Sequence, residues 1–194
     1  MSDLTTDYYR QQARTYLVQT ARLDLGALYP RFERYLPAGA RILDAGCGSG
    51  RDSLYFKQRG YQVSAFDACP AFVAHARDVL GLEAVCARFE NWQSAVTFQG
   101  IWACASLLHL RPEQLPHVLQ RLAACLDAGG VFYASFKYGD FAGERDGRWF
   151  SDLDLAALEQ LTPHVPLLEV LEHWRSADLL QRQDWLNLLW RKRG

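Results

Sequence analysis

The stretch Arg41-Ile42-Leu43-Asp44-Ala45-Gly46-Cys47-Gly48-Ser49-Gly50 carries a short apolar run into three glycines at alternate positions, with a carboxylate just before them. The run reads as a strand, and the segment SLYFKQR that follows, closed by Gly60, reads as a helix. A strand-to-helix turn of glycines lets backbone approach a ligand without Cβ interference and aims helix N-terminal N–H groups at it. This points to a nucleotide-like cofactor. The dinucleotide pattern G-x-G-x-x-G meets Arg51 at its third glycine when counted from Gly46, and Ser53 when counted from Gly48. A P-loop would need Gly-Lys-Ser/Thr, which is absent. Asp44 would repel a pyrophosphate and favours a cationic ligand. Asp67, ending the next apolar run, stands where a carboxylate takes ribose hydroxyls, in dinucleotide sites as in others.

Outward from this turn the pattern alternates. YQVSAF reads as a strand, PAFVAHARDVL as a helix opened by Pro70 and followed by Gly81, and EAVCARF as a strand. GIWACASLLH has the continuous apolar character of a central strand, Leu115 to Leu126 has helical spacing, and VFYASFK is a further strand after Gly129-Gly130. Five strands alternating with helices predict a parallel sheet covered on both faces. Upstream, residues 7–20 and 26–36 read as helices. Downstream come a loop over 138–150, a helix near 152–161, and two strands, LLEVLEHW and WLNLLWRK, suited to an antiparallel edge pair. We expect residues 1–37 to form a helical cap on a core of residues 38–194. Ligands of such sheets bind beyond the carboxyl ends of the strands.

At 194 residues one core is expected, and 49% hydrophobic with 22% charged residues is an ordinary globular composition. A formal net charge of -1 supplies no overall field for a polyanion. The five cysteines are scattered without CxxC spacing, which fits free thiols in a reducing cytoplasm. The start MSDLTTDYYR lacks a signal pattern, and no apolar stretch is long enough to span a bilayer. His75, His117, His164 and His173 share no ligand spacing, so no metal site is expected.

The run Asp44-Ala45-Gly46-Cys47-Gly48-Ser49-Gly50 resembles motif I, E/D-x-G-x-G-x-G, of the class I S-adenosylmethionine-dependent methyltransferases. The resemblance extends to Asp67, to FDACPAFVAHAR, to WACASLLHL and to LDAGGVFYASF, covering residues 38–137 well and the ends loosely. It is similar to small bacterial members of the tellurite-resistance and type 11 or 12 groups. The resemblance implies a Rossmann-like seven-stranded, mostly parallel sheet of order 3-2-1-4-5-7-6, with strand 7 antiparallel and helices on both faces. It implies S-adenosyl-L-methionine as cofactor, held by Asp44, Gly46, Gly48, Gly50, Arg51, Asp67, Phe89, Glu90, Ala105 and Ser106. Glu90 and Asn91 are alternative contacts for the adenine.

The expected activity is methyl transfer by in-line displacement to a small-molecule acceptor, by a soluble, monomeric enzyme. His109, at the rim after the fourth strand, and behind it Tyr138 are the candidate proton acceptors; a loop role for His109 is the plain alternative. The loop SFKYGDFAGERDGRWF offers Lys137, Arg145, Arg148 and Trp149 as acceptor contacts, against the alternative of a solvated surface loop. Tyr9 and Tyr16 on the first helix are candidate lid residues, against simple packing. Three other functions stay open: an RNA or tRNA-base methyltransferase using Arg10, Arg14, Arg145 and Arg148 on phosphates, a nicotinamide-dependent reductase, and a non-catalytic cofactor-binding module.

Overall fold

Two helices, α1 (Asp3–Thr20) and the short α2 (Tyr29–Glu33), precede strand β1 (Arg41–Ala45). The computed structural model describes residues 3–177 and 183–194. From β1 the chain alternates through α3 (Arg51–Gln58), β2 (Gln62–Asp67), α4 (Pro70–Asp78), β3 (Glu83–Cys86), β4 (Phe98–Ala103), α5 (Leu115–Ala124) and β5 (Leu126–Lys137). A hairpin of β6 (Ala142–Arg145) and β7 (Arg148–Ser151) follows, then α6 (Leu155–Leu161), β8 (Leu168–Ser176) and β9 (Trp185–Lys192).

The main sheet runs β3-β2-β1-β4-β5-β9-β8. Neighbours from β3 to β5 pair parallel, while β9 is antiparallel to both β5 and β8. Counted along the main sheet alone, this is the order 3-2-1-4-5-7-6 with its last strand reversed. In the central strands alternate residues face opposite layers. Ile42, Trp102, Tyr133 and Leu189 pack with Tyr29, Phe32 and Phe56 of α2 and α3. Leu43, Ile101 and Phe132 pack with Leu119 and Leu122 of α5 on the other face. Each such fully buried side chain contributes about 1.5–3 kcal/mol.

One polar residue interrupts the apolar run of β9. Asn187 accepts from the Tyr133 hydroxyl at 2.7 Å and donates to Ser176 Oγ at 2.9 Å, tying β9 to both neighbours. A slip of β9 by one residue would turn this buried amide to the wrong face and leave it unpaired, so it fixes the register.

Three local expectations are revised. The helix expected over 26–36 is confined to Tyr29–Glu33, because the Gly26 N–H bonds Asp24 Oδ1 at 2.7 Å in a turn and Pro30 suits only a first helical turn. The fourth strand stops at Ala103. Ala105 has φ 51, its N–H held by Ser135 Oγ at 2.9 Å, and Leu107–His109 then makes one 3-10 turn. The loop expected over 138–150 contains the hairpin, whose tip residues Asp146 and Gly147 have φ 52 and 73. Asp-Gly favours such a turn, and that pair is the signal the loop reading passed over.

α1 lies across the site end of the sheet. The Tyr9 ring meets Phe72 of α4 with centroids 5.8 Å apart, and Thr5 Oγ accepts the Trp149 N–H of β7 at 2.9 Å. The helix therefore touches both the cofactor-side and the hairpin-side walls of the rim.

Candidate functional site

The strand order reverses direction at β1, and the crevice of an open α/β sheet forms at the carboxyl ends on either side of that point. The glycine turn occupies it. Gly46, Gly48 and Gly50 have φ 82, 52 and 74, the left-handed region that side chains disfavour. The three glycines answer different demands. A Cβ on Gly46 would stand 2.5 Å from Ser106 Cβ, so this glycine admits the loop that follows β4, and the Ser106 hydroxyl donates to the Ala45 carbonyl at 2.7 Å. A Cβ on Gly50 would meet Leu80 at 2.8 Å, a packing demand. At Gly48 the neighbour is only the Tyr16 ring, at 3.4 Å.

Three carboxylates organise this turn. Asp67 accepts the Gly48 N–H at 2.9 Å and the Cys69 N–H at 2.8 Å, joining the glycine turn to the end of β2. Burial pushes its pKa up to about 6, the backbone N–H bonds opposing the rise. Asp44 is 2% exposed and accepts from Ser53 Oγ at 2.6 Å. Burial holds its carboxyl well above the usual carboxylate range, the Asp52 charge adding to the rise and the Ser53 bond opposing it. Asp52 takes Arg51 Nε at 2.6 Å, Arg51 Nη2 at 2.9 Å, the Tyr29 hydroxyl at 2.7 Å and Trp102 Nε1 at 2.8 Å. Four donors fill its two oxygens, so Asp52 anchors α3 to β4 and holds Arg51 beside the turn.

Beyond β3 a depression of about 250 Å³ is lined by Thr6, Arg10, Ala68, Cys86, Arg88 and Asn91 among others. Asn91 is on this wall and Glu90 is not; Asn91 Oδ1 accepts the Arg88 N–H at 2.9 Å, and the Glu90 carbonyl accepts from Arg121. Phe89 is buried against Phe66 at 5.2 Å and lies under Gly46.

The remaining predicted residues divide into two groups. His109, 4% exposed, has Nδ1 2.7 Å from the Trp149 carbonyl and Nε2 2.8 Å from the Tyr9 hydroxyl. A carbonyl only accepts, so Nδ1 carries the proton and Nε2 accepts from Tyr9. Burial, opposed by the Trp149 carbonyl and assisted by the Arg148 charge, brings the His109 pKa down to about 4. Arg148 joins this group, with Nη1 3.5 Å from the Tyr9 hydroxyl, as does Tyr16, whose ring is 5.0 Å from that of Tyr9.

Elsewhere, Arg145 bonds Asp152 Oδ2 at 3.0 Å and Gln183 Oε1 at 3.2 Å. Lys137 lies over the Trp185 ring at 4.9 Å. The Tyr138 ring sits under Arg175 at 4.0 Å, and its carbonyl accepts from Gln183. Among the described residues no cluster of His, Cys, Asp or Glu is suited to a metal, and no helix is long and apolar enough to cross a membrane.

Sequence reasoning missed Ser53 as the partner of Asp44, Ser135 as the prop of Ala105, and Asp152 as the carboxylate of Arg145. Ser135 had a signal, a hydroxyl in the otherwise apolar VFYASF. Asp152 had none, since its partners lie on the hairpin and next to β9.

Residues 42–130 match the family described as a methyltransferase domain. A carboxy-S-adenosyl-L-methionine synthase of Chromohalobacter salexigens is 31% identical over 123 residues, 58% of this chain. The chain spans 46% of that relative's length. Among solved structures, the Burkholderia thailandensis 1,6-didemethyltoxoflavin-N1-methyltransferase, with 1,6-didemethyltoxoflavin and S-adenosylhomocysteine bound, superposes with a TM-score of 0.78 at 22% identity. That match covers 97% of this chain and 87% of the other. The magnesium protoporphyrin IX methyltransferase of Synechocystis PCC 6803, with S-adenosylmethionine bound, gives 0.74 at 15% identity, covering 99% and 98%. The fold is thus that of the class I methyltransferases.

Proposed function

We propose that the chain, whose residues 42–130 match a methyltransferase domain and whose fold is that of the class I enzymes, transfers a methyl group from S-adenosylmethionine to a small-molecule acceptor. The observation that carries this reading is the acid-flanked glycine turn, fastened through the Gly48 N–H to Asp67 at the end of β2. The residues fit the cofactor. Only the Tyr16 ring stands over Gly48, two buried carboxylates flank the turn, and the depression beyond β3 offers a nucleobase apolar walls from Ala68 and Ala87 and polar groups from Thr6 and Asn91.

In this reading Gly46, Gly48 and Gly50 with Arg51 hold the methionine end, Asp44 ionises against its positive charge, and Asp67 takes the ribose. Phe89, Glu90 and Asn91 border the base, with Asn91 the better placed, and Ala105 and Ser106 border the sulfur. When bound, S-adenosylmethionine supplies an already activated methyl group. The chain then has to align the acceptor, exclude water, and remove a proton where the nucleophile is neutral. His109 and Tyr138 remain the candidate acceptors of that proton; His109 Nε2 takes it only after releasing the Tyr9 hydroxyl. Residues 1–37 act as a cap whose Tyr9 and Tyr16 line the acceptor space with Trp149 and Arg148. Lys137 and Arg145 flank it from β5 and β6.

A small acceptor is favoured over RNA by the formal net charge of -1 and by the ion-pairing of two of the four candidate phosphate contacts. Of Arg10, Arg14, Arg145 and Arg148, Arg10 is bonded to Asp7 and Arg145 to Asp152. We read the chain as a cytoplasmic monomer. The likeness to a carboxy-S-adenosyl-L-methionine synthase supports a second reading, in which the cofactor itself is modified. Incubation with methyl-labelled S-adenosylmethionine and separated metabolite, RNA and protein fractions, followed by mass spectrometry, decides among these. The proposal predicts label in one metabolite and unmodified S-adenosylhomocysteine as co-product. Label confined to RNA or protein, or an altered cofactor, contradicts it.

A further inference from the structure

We propose that the acceptor is an anion, a carboxylate borne on a planar ring, and that Arg148 receives its charged group. The proposal rests on the small-molecule methyltransferase reading and commits that reading to a substrate class.

Among the described residues, Arg148 is a partly buried cation at this rim with no carboxylate to answer its charge. Arg145 is spent on Asp152, Arg51 on Asp52 and Arg10 on Asp7. Arg148 has no carboxylate within salt-bridge range among the described residues. The one hydrogen bond its guanidinium makes there is the 3.5 Å contact to the Tyr9 hydroxyl, and its Nε is buried without a hydrogen-bond partner. The guanidinium is instead caged by rings, 4.5 Å from the centroid of Tyr8, 5.0 Å from Phe150 and 5.8 Å from Tyr9. Aromatic faces hold a cation but leave its N–H groups unsatisfied. A guanidinium fork with spare donors matches a carboxylate. The side chain is only half-buried, so a ligand can reach it from solvent.

Its place suits an acceptor. From the glycine turn, Gly46 touches Ser106, the Ser106 carbonyl accepts the His109 N–H at 3.3 Å, His109 meets Tyr9, and Tyr9 meets Arg148. A small planar molecule spanning that path would put its anionic edge on Arg148 and its body among Tyr8, Tyr9 and Phe150, with its far edge toward Ser106. His109 is neutral and cannot compete for the anion, and the Tyr9 proton is committed to His109. The carboxylate of the cofactor's own methionine is the other source of this chemistry, and binding measurements separate the two.

Benzoate and benzamide share shape and differ in charge, so both are titrated by calorimetry into the full chain, alone and saturated with S-adenosylhomocysteine. Benzoate is expected to bind about tenfold or more tightly than benzamide. Arg148→Gln should abolish that preference and Arg148→Lys should keep part of it. S-adenosylhomocysteine affinity should stay unchanged in Arg148→Gln, which reports an intact fold and excludes the cofactor's carboxylate as the anion. Equal affinity for the two probes, a benzoate preference that survives Arg148→Gln, or loss of S-adenosylhomocysteine binding in that variant overturns the proposal. If the wild-type chain does not bind S-adenosylhomocysteine, the methyltransferase reading falls, and the comparison on the chain alone still decides the role of Arg148.

Discussion

The Tyr9 hydroxyl lies 2.8 Å from His109 Nε2, across 100 residues of sequence, and the opposite ring nitrogen of His109 is held by the Trp149 carbonyl. The imidazole therefore joins α1 to the hairpin as a neutral group. Its folded pKa of about 4 lies below the ordinary 6.5. A depressed histidine contributes stability that is fully present above about pH 6.5 and is lost as the pH falls through 4. Roughly 3 kcal/mol separates the two limits. Urea unfolding between pH 7 and 4 should show this loss, and His109→Gln should flatten it. An unchanged pH slope in the variant would contradict the neutral, buried assignment.

The Arg148 guanidinium lowers the same imidazole electrostatically, though less than burial does. Arg148→Gln should therefore raise the His109 pKa while leaving the Nδ1-protonated tautomer in place. Nitrogen-detected NMR titration reads both quantities. A pKa that stays put would show that the two side chains are not coupled.

Asp44 presents the opposite sign. Its carboxyl is raised by burial, so its cost to the fold is absent at pH below about 4 and grows as the pH rises toward the raised value. Asp44→Asn keeps an oxygen for the Ser53 hydroxyl and removes that cost. The variant should be more stable than the parent at pH 8, by on the order of 2 kcal/mol, with the gain vanishing near pH 4. It should also lose preference for S-adenosylmethionine over the uncharged-sulfur product. Denaturation across pH and paired calorimetric titrations check the two halves; a gain independent of pH contradicts the first.

Gly46→Ala adds a methyl 2.5 Å from Ser106 Cβ at a residue of φ 82, whereas Gly60→Ala, with φ 88, meets nothing within 4 Å. Backbone strain alone costs about 1–2 kcal/mol. Gly46→Ala should cost distinctly more than Gly60→Ala in urea denaturation, and Ser106→Gly in the same chain should recover part of the excess. Equal losses at both glycines would mean that the turn does not press on Ser106.

The strands, the helices and the glycine turn were legible because they are local: periodicity and glycine punctuation report each element and the bend between them, whereas the sheet order was implied only by the resemblance of that turn to motif I. Asp67 was legible by its position at a strand end. The partners were not. Ser53 under Asp44, Trp102 and Tyr29 on Asp52, and Tyr9 on His109 are joined by the packing of elements far apart in sequence, which no spacing encodes. The hairpin is a different case, since Asp146-Gly147 stated the turn and the polar, glycine-broken surroundings hid the short strands.

Isothermal titration of the full chain with S-adenosylmethionine, its demethylated product and NADH tests the central claim most directly. The acid-flanked turn predicts one saturable site for S-adenosylmethionine and for the product, with no heat from NADH. Heat from NADH with none from either sulfur ligand would contradict the account.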